Sequence, residues 1–95
     1  MPETMQLEVV TPSRKVLEVA VESVTLPGSE GELGILPEHI PLVTTLDTGV
    51  LSYSSKGETR ALAVHWGYAQ VEADRVSVLA ELVESAHEID VDRAQ

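Results

Sequence analysis

Apolar and polar residues in this chain alternate every second position, in stretch after stretch of strand length, and that period decides what it can fold into. Successive side chains of a strand point to opposite faces, so such alternation makes one face of a sheet apolar and leaves the other to water. In Val16 to Val24, Leu17, Val19 and Val21 fall on one face, with Glu18 and Glu22 on the other. Leu7 and Val9 flank Glu8, Leu51 and Tyr53 flank Ser52, and Val76 and Val78 flank Ser77. Leu62, Val64 and Trp66 alternate with Ala61, Ala63 and His65. At least five short strands follow. Turn residues separate them, at Thr11-Pro12-Ser13, Pro27-Gly28, Thr48-Gly49, Lys56-Gly57 and Ala73-Asp74. Short, evenly spaced strands with no helix between them predict an all-β chain, a sandwich or barrel.

Composition narrows the function classes. A chain of 95 residues has room for one core. With one Trp, two Tyr and no Phe, that core is built from Val, Leu, Ile and Ala. No cysteine is present, so there is neither a disulfide nor a thiolate metal site. Six Lys and Arg against 16 Asp and Glu give a formal charge of -10, a field that repels nucleic acid and anionic headgroups. Met1 to Gln6 show no basic segment followed by an apolar run, and no stretch approaches the roughly 18 apolar residues of a spanning helix. The expectation is a chain with no signal peptide and no direct membrane insertion, exposed to the cytoplasm. His39, His65 and His87 have no metal-ligand spacing.

Near the C-terminus the period changes. Asp90 can cap a helix beginning at Val91, and Ser85 with Glu88 fits a capping box, so two start points compete. The expected organisation is an antiparallel β-sandwich over 1–84 and the start of a truncated or short helical segment over 85–95. The chain is expected to stop just inside that second unit, and so short a helical turn would fray unless it docks.

The segment from Gly28 to Leu42 is unlike the rest. Gly28, Gly31 and Gly34 permit positive φ or close approach, while Pro37 and Pro41 forbid a helix. A phosphate-cradling reading fails, because Glu30, Glu32 and Glu38 crowd the site and no cation lies between Lys15 and Lys56. The residues alone favour a sharp double turn with structural glycines. Replacing Gly34 by Val is expected to distort this loop and to weaken assembly more than the isolated fold.

The Gly28–Leu42 run, Gly67-Tyr68-Ala69-Gln70-Val71 followed by Arg75-Val76-Ser77-Val78-Leu79-Ala80, and the closing Ile89-Asp90-Val91-Asp92-Arg93-Ala94 resemble the epsilon subunit of the F-type ATP synthase. The resemblance runs from about Leu7 to the last residue. It implies an N-terminal β-sandwich followed by a helical hairpin, and a non-catalytic rotor subunit that needs no cofactor. Such a subunit sits in the central stalk, peripheral to the cytoplasmic face of a bacterial plasma membrane, and couples the gamma subunit to the ring of c subunits. By resemblance, Glu30-Gly31-Glu32 would face the c ring and the loop carrying His39 would lie near gamma. Glu32 is read either as a contact to the ring or as a solvated turn carboxylate. His39 is read either as an interface residue or as a structural hydrogen-bonding group.

The closing motif matches one that binds ATP in some bacterial members, at positions equivalent to Glu84, Asp90 and Arg93. Five acids between Glu81 and Asp92 oppose a triphosphate and only Arg93 favours it, so this chain is expected not to bind ATP usefully. Asp90 is read instead as a helix cap. One departure stands out: His65 and Trp66 occupy positions that are usually small in the family, and Trp66 is read as strand-face or core packing, with an interface anchor as the less common alternative. The alternative function is a free-standing ligand- or sugar-binding sandwich. Only Tyr53, Trp66 and Tyr68 are available to stack on a ligand.

Overall fold

The alternating stretches become strands, and the aliphatic residues of each turn inward. The computed structural model describes residues 4–85, and its elements are β1 (Met5–Val10), β2 (Lys15–Val21), β3 (Ser23–Gly28), β4 (Gly31–Ile35), β5 (Leu42–Leu46), β6 (Gly49–Ser55), β7 (Glu58–Val71) and β8 (Arg75–Ser85). The strands run β2-β1-β8-β7-β5-β3-β4, with β6 paired to both β3 and β7. Because β7 is long, its first half pairs with β6 (Gly49↔Val64 to Ser55↔Glu58) and its second half with β5 (Leu42↔Val71 to Leu46↔Gly67). It therefore passes from one layer of a sandwich to the other. The first layer is β2-β1-β8-β7-β5 and the second is β4-β3-β6-β7. Pairing is antiparallel except between β1 and β8, which run parallel.

Between the layers lie Leu7, Val9, Val21, Ala69, Val71, Val76 and Val78 from the first and Val24, Leu26, Ile35, Leu51, Leu62 and Val64 from the second. Burying one Leu or Val side chain contributes about 1.5–3 kcal/mol. At Lys56-Gly57 both residues have positive φ (54° and 81°), the geometry that lets a two-residue turn follow strand twist.

Two sequence expectations need correction. Val16 to Val24 is not one strand, because the chain breaks at Glu22 and crosses between layers. There the Glu22 amide donates to the Ser54 carbonyl oxygen at 2.7 Å, and its carboxylate accepts the Ser54 hydroxyl and the Lys56 amide, both at 3.2 Å. The inward phase shifts with the crossing, from Val21 to Val24 and Leu26.

Trp66 does not continue the inward row of Leu62 and Val64 either. The inward positions of β7 switch from even to odd, resuming at Ala69 and Val71, and those of β8 switch between Ala80 and Val83. His65↔Leu82 and Gly67↔Ala80 keep a single register, so both strands bend together without an inserted residue. Trp66 takes up the bend at φ 47°, a left-handed conformation that costs a side-chain-bearing residue about 1–2 kcal/mol. Gly67 follows because nothing larger fits: a Cβ there would overlap the Leu79 carbonyl oxygen and lie 2.8 Å from the Ala80 Cα. Strand β8 continues through Ser85, one residue past the expected boundary, and the rest of the expected helical start, 86–95, lies outside the described residues.

Candidate functional site

Among the described residues no polar or charged side chain is buried, so the chemically distinctive groups all lie at the surface. Three places concentrate them.

The first is the β3–β4 hairpin tip. Gly28 pairs with Gly31, leaving Ser29-Glu30 as a two-residue turn, and Gly31 takes φ 128°. A Cβ on Gly28 would sit 2.8 Å from the Gly31 carbonyl oxygen, so both glycines are required, one for approach and one for conformation. The tip is fastened to β5: the Ser29 amide donates to the Thr45 carbonyl oxygen at 3.0 Å, and the two hydroxyls lie 2.7 Å apart. The Asp47 amide donates to the Pro27 carbonyl oxygen at 3.0 Å. Glu30, Gly31 and Glu32 are thus held exposed on an anchored turn, beside an open depression of about 540 Å³ that also includes Leu33 and Val43. Gly34 corrects an expectation. Its φ is ordinary and the space beyond it is open, so a valine side chain would not distort the strand.

The second is the loop over residues 36–41. The His39 amide donates to the Leu36 carbonyl oxygen at 3.1 Å, and its Nδ1 donates to the Ile40 carbonyl oxygen at 2.7 Å. The Glu38 amide reaches the Ala73 carbonyl oxygen at 2.7 Å, tying the loop to the β7–β8 turn. The imidazole is therefore engaged with its own loop, while Leu36 and Ile40 stand exposed. The structure brings Glu30, Gly31 and Glu32 together at the Leu46 end of β5 and leaves His39 at the Leu42 end. Glu84 lies elsewhere, on the last part of β8, with its Oε1 3.5 Å from His65 Nε2; Asp90 and Arg93 lie outside the described residues.

The third was not among the candidates from sequence: the outer face of the first layer. Register aligns its outward positions across four strands, Thr45↔Tyr68↔Leu79↔Val10, with Val43↔Gln70↔Ser77↔Glu8 as the next row. An antiparallel sheet facing water normally carries polar residues there. Here the first row presents Tyr68, Leu79 and Val10. Val43 and Trp66 adjoin it at 69% and 65% exposure, and Tyr68 is 47% exposed. The sequence held a signal for it, since Val43 and Tyr68 occupy the outward phase of their strands.

Beyond the second row the same face turns ionic. The Lys15 ammonium donates to Glu18 at 2.8 Å and lies 3.4 Å from Glu8, while Arg75 donates to Glu8 at 2.9 Å. Hydrogen bonds from Lys15 and then Gln6 hold the Glu18 carboxyl below the usual carboxylate range. Those to Glu18 and then Glu8 raise Lys15 above the usual lysine value.

The comparisons with known proteins agree on one relationship. A family model described as the beta-sandwich domain of the ATP synthase delta/epsilon chain matches residues 4–86. Proteins named ATP synthase epsilon chain from Koribacter versatilis and Carboxydothermus hydrogenoformans are each 48% identical to this chain over all of its 95 residues, which cover 67% and 71% of those proteins. Among solved structures, the fold matches a chain from the OSCP/F1/c-ring assembly of the Euglena gracilis mitochondrial ATP synthase, with a TM-score of 0.86 and 25% identity. That match covers 95% of this chain and 58% of the Euglena chain, less than two thirds of its length. A chain from the central stalk/c-ring structure of the Tetrahymena thermophila mitochondrial ATP synthase shares the fold, with a TM-score of 0.73 and 15% identity, over 96% of this chain and 73% of its own.

Proposed function

The chain belongs to the ATP synthase delta/epsilon family, and from that premise we propose that it is the non-catalytic central-stalk subunit of a proton-translocating F-type ATP synthase, joining the gamma subunit to the c ring. The observation that carries the reading is the outward apolar row of Val10, Leu79 and Tyr68, with Val43 beside it, on a body whose interior is close-packed and, apart from Met5 and Tyr53, aliphatic. A part that transmits torque needs stiffness and two attachments. Close packing supplies the stiffness, because densely packed interiors pass strain on instead of absorbing it. The outer face supplies one attachment, a place where gamma gains by excluding water.

The anchored hairpin tip supplies the other. Its Glu30 and Glu32 carboxylates meet the polar loops of the c ring, with Gly31 allowing the turn between them, and the loop carrying His39 borders gamma. With Leu36 and Ile40 exposed on either side, the His39 ring shapes that loop through its bond to Ile40 instead of reaching across an interface. The subunit works peripherally, at the cytoplasmic face of a bacterial plasma membrane. Among the described residues no helix is long and apolar enough to cross a membrane.

Glu84, Asp90 and Arg93 do not give this 95-residue chain useful ATP affinity, since five acids, Glu81, Glu84, Glu88, Asp90 and Asp92, precede the one cation of that stretch in sequence. Tight ATP binding in titration calorimetry would overturn that assignment. The central reading is tested by a pull-down with the intact chain: gamma and c-ring components are both expected, and a Glu32→Lys variant keeps gamma but loses the ring. Failure of the unaltered chain to retain gamma would refute the rotor assignment.

A further inference from the structure

Trp66 is in the wrong place for a residue that serves the fold. Its backbone is left-handed, a conformation that glycine adopts without penalty, and its side chain is 65% exposed instead of packing in the core. Its aromatic neighbour is the His65 ring, 6.3 Å away and tilted by 54°. The indole is no part of the core cluster, yet the largest side chain of the chain is held at this corner. Tryptophan is also, with Tyr and Arg, enriched among the few residues that dominate protein interfaces.

Its surroundings say what it meets. Two positions along β7 lies Tyr68, and across the ladder from Tyr68 lie Thr45 and Leu79, so Trp66 extends the apolar row to the corner of the sandwich. The acids Asp47, Glu81 and Glu84 fall on the segments flanking the corner. The described cations, Arg14, Lys15, Lys56, Arg60 and Arg75, fall on none of β5, the second half of β7 or the end of β8. An indole with acids on the flanking segments, and with none of the described cations on them, suits an apolar pocket rimmed by Arg or Lys, which adds a cation–π contact and opposite charge to apolar burial.

We propose that Trp66 is the anchor that seats the gamma subunit on this face, its indole entering an apolar pocket of gamma bordered by a basic side chain. The proposal rests on the reading of the outer face as the gamma attachment, and it adds the residue that fixes its position and strength.

Trp66 is the sole tryptophan, so 5-fluorotryptophan incorporated into this chain gives one ¹⁹F signal with no contribution from an unlabelled partner. On titration with the cognate gamma subunit, followed in parallel by co-elution, the signal is expected to shift and to lose its sensitivity to exchange of water for D₂O. Trp66→Gly is expected to weaken gamma binding at least tenfold while the free chain melts no lower than the unaltered one. An unmoved signal in a complex that co-elutes, or gamma affinity within twofold in Trp66→Gly, would overturn the anchor and leave the rotor reading standing. A clear drop in the melting temperature of Trp66→Gly would assign Trp66 to the fold and also overturn it. A signal that moves only when c ring is added transfers the residue to the ring and refutes the gamma assignment. If the unaltered chain does not bind gamma at all, the reading of the outer face and the anchor fall together.

Discussion

The hairpin tip at Gly28–Gly34 and the corner at Trp66-Gly67 both turn on glycine, and they ask different things of it. The tip holds three glycines, of which Gly28 is needed for close approach to Gly31, Gly31 for its φ of 128°, and Gly34 for neither. The corner holds one, and it is the most confined of all: a Cβ on Gly67 would collide with the backbone of β8. Its neighbour Trp66 takes the left-handed conformation in place of a glycine. A cluster of glycines in sequence therefore marks a turn, whereas the position where the fold has no room is a single glycine in the middle of a 14-residue strand.

The sharpest way to break this contrast is Gly67→Ala. One methyl group forces β7 and β8 apart at their bend, and the expected loss is about 3 kcal/mol, within the range for overpacking a tight site. Urea unfolding measures it; a loss below about 1 kcal/mol would mean that the ladder yields and that the corner is softer than its geometry. Gly31→Ala probes the tip. With open space around the new methyl, only backbone strain acts, and about 1 kcal/mol is expected from the same measurement.

Gly34→Val should do least to the fold, within about 0.5 kcal/mol, because it lies on an exposed strand position with room for a branched side chain. Its informative readout is retention of the c ring. Loss of the ring with an unchanged melting temperature would show that the glycine clears space for a partner, whereas equal losses in both would return it to a role in the loop.

The ionic end of the outer face supplies the smallest effect and the baseline for the others. Glu18 is held below its usual range, so its contribution is present above that range and fades as pH falls through the lowered value. Lys15 is raised, so its contribution is present below the usual lysine value and is lost as pH rises past it. Between those limits Lys15→Ala should barely move the melting temperature, since the pair is at the surface and screened. A drop comparable to that of Gly31→Ala would show the ion pairs to be part of the frame.

The strand segments and their inward residues were legible because alternation is local: Leu7, Val9, Leu51, Leu62, Val64, Val76 and Val78 all turn inward as their period requires. Two misread phases, Val16 to Val24 taken as one strand and Trp66 taken into the inward row of Leu62 and Val64, share a cause. At Glu22 and at Trp66 the chain passes from one layer to the other, and the inward phase resets. The Glu30-Gly31-Glu32 turn was legible from its glycines. Its fastening through Ser29 and Thr45, 16 residues apart, was not.

The sequence by itself determined an all-strand chain with a mainly aliphatic interior, since a period of two and the φ demands of its turns act over a few residues. Only the tertiary structure decided where β7 and β8 bend, why Gly67 admits no side chain, and that Val10, Val43, Tyr68, Leu79 and Trp66 come together on one open face. Those facts depend on which strands become neighbours, and neighbour choice is made by contacts between residues as far apart as Glu8 and Arg75, where no local period reaches.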